Sequence, residues 1–218
     1  QKELTAGYHW IALREFDTFA EMAEQAGRRL PRDFAGTLER MYDYLAGSVR
    51  PDGACPLNND SDRADRLDYL AKAAPRFGRT DWAWIASGGR EGTPPAAPPS
   101  RFYPWAGQLV SRSGWGAEAH WSFFDVGPFG ISHQHNDKLH LSVSAYGRYL
   151  LVDSGRFVYQ GEMGERFLRP YARRSRAHNV ILVNGCDQLA PEIEAVAPLT
   201  HAAVTDVYDF ALGTFDRG

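Results

Sequence analysis

Residues Gly130 to Gly155 read GISHQHNDKLHLSVSAYGRYLLVDSG, and how this stretch is read decides the fold. From Leu139 onward apolar and polar residues alternate, the period of two that sends successive side chains to opposite faces of a strand. KLHLSVSAY and RYLLVDSG therefore read as paired strands, with SAYGRYL a tight hairpin around Gly147. Ahead of them the chain is crowded with His133, His135, Asp137 and His140. If GISHQHND is extended, residues two apart share a face, so His133, His135 and Asp137 project together. Two imidazoles on one side of a strand suit a metal ion. Zinc takes three or four N, O or S ligands from different elements, and Asp153 at the end of RYLLVD and His178 at the start of NVILV are placed to join them. One histidine alone is more often hydrogen-bonded or at the surface, so the weight rests on HxH together with two strand-end ligands.

Outward from this stretch, WSFFDVG, NVILVNG and AAVTDVYDFAL also read as strands. Strands in succession without intervening helices indicate an antiparallel sheet or sandwich. Upstream the period changes. Trp10, Leu13, Phe16, Phe19 and Ala23 recur at helical steps, as do Phe34, Leu38, Met41 and Leu45; Ala64 to Ala74 and Trp82 to Ile85 predict two further helices. GREGTPPAAPPSRFYP, Gly89 to Pro104, is too rich in proline and glycine to continue a helix and marks the boundary. The class is α+β, with helices over 1–92 and an antiparallel sheet over 93–218. QKELTAGYHW opens inside a structured segment and DFALGTFDRG ends in an unfinished strand pattern, so the chain is expected to be a piece of a longer protein.

The chain has 218 residues, 44% of them hydrophobic, which suits a folded globular protein. A net charge of −3 lacks the basic field a general nucleic-acid binder needs. No apolar run is long enough to span a bilayer, and no signal peptide is recognisable. Cys55 and Cys186 are far apart and support neither a disulfide framework nor a thiolate zinc site. RFLRPYARRSRAHN concentrates Arg166, Arg169, Arg173, Arg174 and Arg176 before His178, a patch whose guanidinium forks suit carboxylate or sulfate; a solvated loop paired with Glu162 and Glu165 reads equally well. HxHxD also suggests a metallo-β-lactamase-like hydrolase, but the histidine that should follow the aspartate is Lys138, and the αββα pattern is missing. Asp137 reads better as a carboxylate orienting an imidazole through its second nitrogen. His140 faces oddly for that site and reads as a strand residue.

Taken together, GISHQHND, RYLLVDSG, YARRSRAHNVILVNG, ELTAGYH and RPDGACPLNNDSD resemble the heparinase II/III-like polysaccharide lyases over nearly the whole chain. The resemblance implies the late helices of an α/α toroid followed by an antiparallel β-sandwich, with a cleft between them for an acidic polysaccharide. It places a zinc site on His135, Asp153 and His178, a catalytic histidine on His133 and a catalytic tyrosine on Tyr8. Thr5 and Ala6 depart from the family's serine and proline before that tyrosine. Arg173, Arg174, Arg176 and Tyr159 are the expected substrate contacts, with Asp137 and Asn179 behind the ligands. The family's carboxylate-neutralising Asn or His would lie before Gln1.

The implied reaction is β-elimination on a uronate polymer, alginate or glycosaminoglycan, by a periplasmic or secreted enzyme. Tyr8 and His133 would share the base and acid roles, and zinc would organise the site rather than activate water. A base role for tyrosine calls for a lowered pKa, which neighbouring cations could supply. Two other readings stay open: a non-catalytic, zinc-stabilised carbohydrate-binding or structural module, and a metal-dependent hydrolase.

Overall fold

The computed structural model describes residues 3–189 and 198–215. Four helices come first: α1 (Ala6–Gln25), α2 (Phe34–Ser48), α3 (Leu67–Phe77) and α4 (Thr80–Ala86). Their apolar stripes close on one core built around Leu13, Leu38, Tyr42, Leu45, Leu70 and Trp82. The one acid buried there, Asp17, accepts the Tyr42 hydroxyl at 2.5 Å and pairs with Arg76, so its charge is not left unmatched. Gly78 ends α3 in the left-handed conformation, φ 64°, which a residue without Cβ adopts freely.

After residues 87–100 the chain forms β1 (Arg101–Tyr103), β2 (Gln108–Arg112), β3 (Trp121–Asp125), β4 (Leu141–Ala145) and β5 (Arg148–Leu151). They pair antiparallel in that order, with Trp121 opposite Ser144 in the β3–β4 register. Tyr146 and Gly147, both at positive φ, make the expected tight turn between β4 and β5. A π-helical turn (Gly164–Leu168), the short helix α5 (Arg169–Ala172) and a 3-10 turn (Ser175–Ala177) follow. A second, two-stranded sheet pairs β6 (Ala202–Val204) with β7 (Asp209–Ala211), and Asp209 takes hydroxyls from Ser100 and Ser111 beside the first sheet. The architecture is mixed helix and antiparallel sheet.

Buried arginines join the halves. Arg112 on β2 donates to the Gly47 and Val49 carbonyls at the end of α2, and Arg50 donates to Ser144 Oγ on β4.

Three sequence expectations change. GISHQHND is not extended: Ser132 and His133 have φ of 61° and 54°, so side-chain alternation is lost where the metal argument needed it. NVILVNG is not a strand. Asn184 and Gly185 at positive φ close a two-residue hairpin turn bridged only by Val183 and Cys186, and Ile181 and Val183 stay exposed. AAVTDVYDFAL folds back on itself as β6 and β7 rather than running as one strand. No helix among the described residues is long and apolar enough to cross a membrane.

Candidate active site at the helix and sheet junction

The first turn of a helix leaves N–H groups without partners. In α1 they are met from far along the chain: Ala6 N–H donates to Asn58 Oδ1 at 3.2 Å and Gly7 N–H to Ser61 Oγ at 2.9 Å. Loop 58–61 thereby fixes the start of α1 and the position of Tyr8. It also holds the sheet half, since Asn59 Oδ1 accepts His135 N–H at 2.8 Å and Asp60 N–H reaches the His133 carbonyl. Gly155 lies so close to this loop that a Cβ would meet the Ser61 carbonyl oxygen at 2.4 Å.

With both segments pinned, the Tyr8 and His133 rings stack, 3.9 Å between centroids and 17° from parallel. His133 Nδ1 lies 3.1 Å from Glu3 Oε1. The Tyr8 hydroxyl is 3.0 Å from that of Tyr159, which donates to Asp60 Oδ2 at 2.6 Å. Asp60 is a buried hub: Arg169 reaches both its oxygens, and His135 Nε2 lies 2.8 Å from Oδ1. Burial works to raise the Asp60 carboxyl, but the bonds from His135, Arg169 and Tyr159 outweigh it and hold it well below the usual carboxylate range. Burial, followed by the bonds to Asp60 and Tyr8, pushes the Tyr159 hydroxyl well above the ordinary tyrosine value.

Behind this layer lies a fully enclosed cluster of His135, Asp137, His140, Asp153 and His178. An ionised Asp60 only accepts, so His135 Nε2 carries the proton and its Nδ1 lone pair is left over, buried and without a partner. His178 has the complementary arrangement, with Nδ1 on Asp153 Oδ2 at 3.2 Å and Nε2 without a partner. Asp137 Oδ2 is the third such orphan. The donor atoms of His135, Asp137 and His178 lie within 4.8 Å of one another, as do those of His140, Asp153 and His178. Three buried atoms without partners at one point form a donor set that could hold a cation, and two nitrogens with one carboxylate oxygen are ligand types that zinc takes. Burial works to lower His178, but Asp153 outweighs it and raises it, so an ion on Nε2 would have to compete with a proton. Burial, reinforced by Asp137, pushes Asp125 up to about 8, so this carboxyl stays protonated near neutral pH and adds no negative charge to the cluster.

The residues expected from sequence fare differently. Tyr8, His133 and Tyr159 come together, and His135 and His178 face one centre. Asp153 is engaged with His178 and with His140 Nε2 at 3.2 Å, while Asp137, expected behind a ligand, offers the open oxygen. The trio His135, Asp153 and His178 is thus divided between two donor sets that share His178. His140 belongs to the cluster after all: Asn179 N–H donates to its Nδ1, and burial lowers its pKa, so the neutral ring holds its proton on Nε2 toward Ser142 and Asp153. Asn179 also ties Val152 O through its side chain. Arg173 is spent on the Gln134 carbonyl, and Arg174 and Arg176 pair with Asp187 at the surface. Asp60 and Arg169 are not among the assigned site residues; Arg169 stands in the arginine patch RFLRPYARRSRAHN, and the signal for Asp60 is the polar run NNDS inside an otherwise helical half.

A buried imidazole and carboxylate cluster and a stacked Tyr–His pair thus lie where the helical unit meets the antiparallel sheet. Residues 95–207 match the heparinase II/III-like C-terminal family and residues 1–81 the heparinase II/III N-terminus. The chain belongs to the heparinase II/III-like family. It is similar to heparin-sulfate lyases of Bacteroides stercoris and Pedobacter heparinus, 27% identical to each over 84% of this chain and 28% and 29% of theirs. The crystal structure of heparan sulfate lyase HepC from Pedobacter heparinus superposes with a TM-score of 0.77 at 26% identity, over 88% of this chain and 31% of that one. This chain spans under a third of the length of the curated relatives it matches.

Proposed function

We propose that this chain carries the catalytic junction of a polysaccharide lyase that cleaves a uronic-acid polymer, a glycosaminoglycan of the heparan sulfate type, by β-elimination. The observation that carries the reading is the stacked pair of Tyr8 and His133, two proton-transferring groups aligned where helices meet sheet. The family's toroid and sandwich supply the larger frame in the full-length protein.

In the reaction the C5 proton of the uronate leaves, its electron pair forms the C4=C5 double bond, the C4–O bond breaks, and the departing oxygen takes a proton. Tyr8 and His133 divide these transfers; which one takes the C5 proton depends on whether that proton shares a face with the leaving oxygen. Glu3 holds the His133 ring through Nδ1, and Tyr159 holds the Tyr8 hydroxyl. A zinc ion on His135 and His178, with a carboxylate oxygen from Asp137, would supply fixed positive charge that anchors the segment carrying His133. Asp153 and Asp60 then orient the two imidazoles from behind. A polymer of this size is met outside the cytoplasm, which fits a periplasmic or secreted enzyme.

The test is to give the full-length protein heparan sulfate and follow the near-ultraviolet absorbance of the unsaturated uronate. Normal turnover after Tyr8→Phe or His133→Ala would sink the assignment.

A further inference from the structure

Ser132 and His133 follow one another at φ of 61° and 54°, a conformation that is costly for residues with a Cβ and persists only where the surroundings impose it. Here they do. Gln134, buried between the two histidines, accepts the Gly130 N–H on Oε1 at 2.9 Å and donates its Nε2 to the Glu3 carbonyl, while Arg173 donates to the Gln134 carbonyl. The opposing segment is held as firmly. Leu4, at φ 52°, turns the chain just ahead of α1, and its carbonyl accepts Asn58 Nδ2 at 2.9 Å and Gln108 Nε2 at 3.0 Å. Thr5 Oγ1 donates to the Glu3 carbonyl at 2.9 Å. Glu3 therefore meets two consecutive residues of the sheet half, His133 Nδ1 through Oε1 at 3.1 Å and Gln134 through its carbonyl.

A carboxylate only accepts, so a neutral His133 ring in this contact carries its proton on Nδ1 and keeps the lone pair on Nε2. Among the described residues Nε2 has no protein partner, and Tyr8 covers one face of the ring. We propose that Glu3 is a positioning residue for His133, fixing the tautomer and angle of the ring so that Nε2 is the atom through which His133 exchanges a proton with the polymer. Gln134 anchors the Glu3 backbone to the same strained turn. Glu3 and Tyr8 belong to one pinned segment, so the group that aims the histidine and the tyrosine stacked on it are aligned as a unit. The inference rests on the lyase reading above.

The test uses the full-length protein, heparan sulfate and the near-ultraviolet absorbance of the product. Glu3→Gln keeps the side chain's size but offers an amide N–H as readily as an oxygen, so it no longer dictates the tautomer; Glu3→Ala removes the contact. In both, folded by circular dichroism, kcat should fall by about 10²-fold, the lower end for one general acid or base, with KM little changed. On a His133→Ala background Glu3→Ala should cost nothing further, because residues that act as a unit do not add. Formate should restore part of the kcat of Glu3→Ala where chloride at equal ionic strength does not, a response that a purely structural loss would lack. The inference is overturned if either folded variant turns over as the parent does, if the loss falls on KM, if Glu3→Ala lowers the rate further in protein already lacking His133, or if formate does no more than chloride. Failure of the lyase reading shows separately, as no unsaturated product from the parent protein.

Discussion

Arg169 grips both carboxylate oxygens of Asp60, Nη1 to Oδ1 at 2.9 Å and Nη2 to Oδ2 at 2.6 Å, and so ties α5 to a loop of the helical half. The Asp60 side chain is fully buried, and Arg169 is only 19% exposed. Removing one partner of such a pair leaves the other charge uncompensated. Asp60→Asn, nearly the same shape, should cost roughly 3 to 5 kcal/mol of stability in denaturant unfolding. A loss below about 1 kcal/mol, the range of an exposed pair, would show the contact to be incidental.

The stacked geometry makes Tyr8→Phe the most informative single change. Phe keeps the ring on His133 and loses only the hydroxyl, so the fold should be retained while kcat falls by about 10² to 10⁴, the scale of one general acid or base. Tyr159→Phe removes the group that holds that hydroxyl and leaves Tyr8 itself in place. Its effect on kcat should be smaller, and a loss as deep as that of Tyr8→Phe would move the reacting role to Tyr159.

Much of this arrangement was legible in the sequence because periodicity reports burial on a regular element. The four helices, the strands around Phe123 and Val143 and the turn at Gly147 all announce themselves through spacing. His133, His135 and His178 stood out by residue type. What periodicity could not give was the path of irregular backbone. Ser132 and His133 at positive φ rotate the histidines out of simple alternation, so Asp137 turns toward the centre where Asp153 had been expected. His140 falls out of step as well, since Leu139 before it also has a positive φ. Asp60 stayed hidden because its importance comes from partners 75 to 109 residues away, and nothing in NNDS indicates them. The arginine patch misled in the other direction: its composition suggested ligand binding, while Asp187 and the Gln134 carbonyl already occupy Arg173, Arg174 and Arg176.

The two donor sets that share His178 make different predictions for metal content. If the ion sits on His135, Asp137 and His178, Asp137→Asn should remove most of it, because an amide oxygen is a poor substitute for a carboxylate. Asp153→Asn should leave it bound but weaken affinity by about 10- to 100-fold, the effect of losing a carboxylate behind a ligating imidazole. Elemental analysis after dialysis against a graded chelator separates the two. The reverse order would assign the ion to the set of His140, Asp153 and His178.

Acid should destabilise the helical half through His9, next to Tyr8. Its Nε2–H donates to the Met41 carbonyl at 2.9 Å, and burial lowers the ring from the ordinary histidine value of 6.5 to about 4. Between those values the unfolded chain takes up a proton that the folded chain refuses, so stability increases with pH across this window. The contribution is complete above about pH 6.5 and is lost progressively as pH falls toward 4. At about 1.4 kcal/mol per pKa unit it amounts to roughly 3 kcal/mol. His9→Gln keeps a donor for Met41 and cannot titrate. The variant should therefore lose much less stability than the parent between pH 6.5 and 4 in denaturant unfolding, and parallel losses in the two proteins would place the acid sensitivity elsewhere.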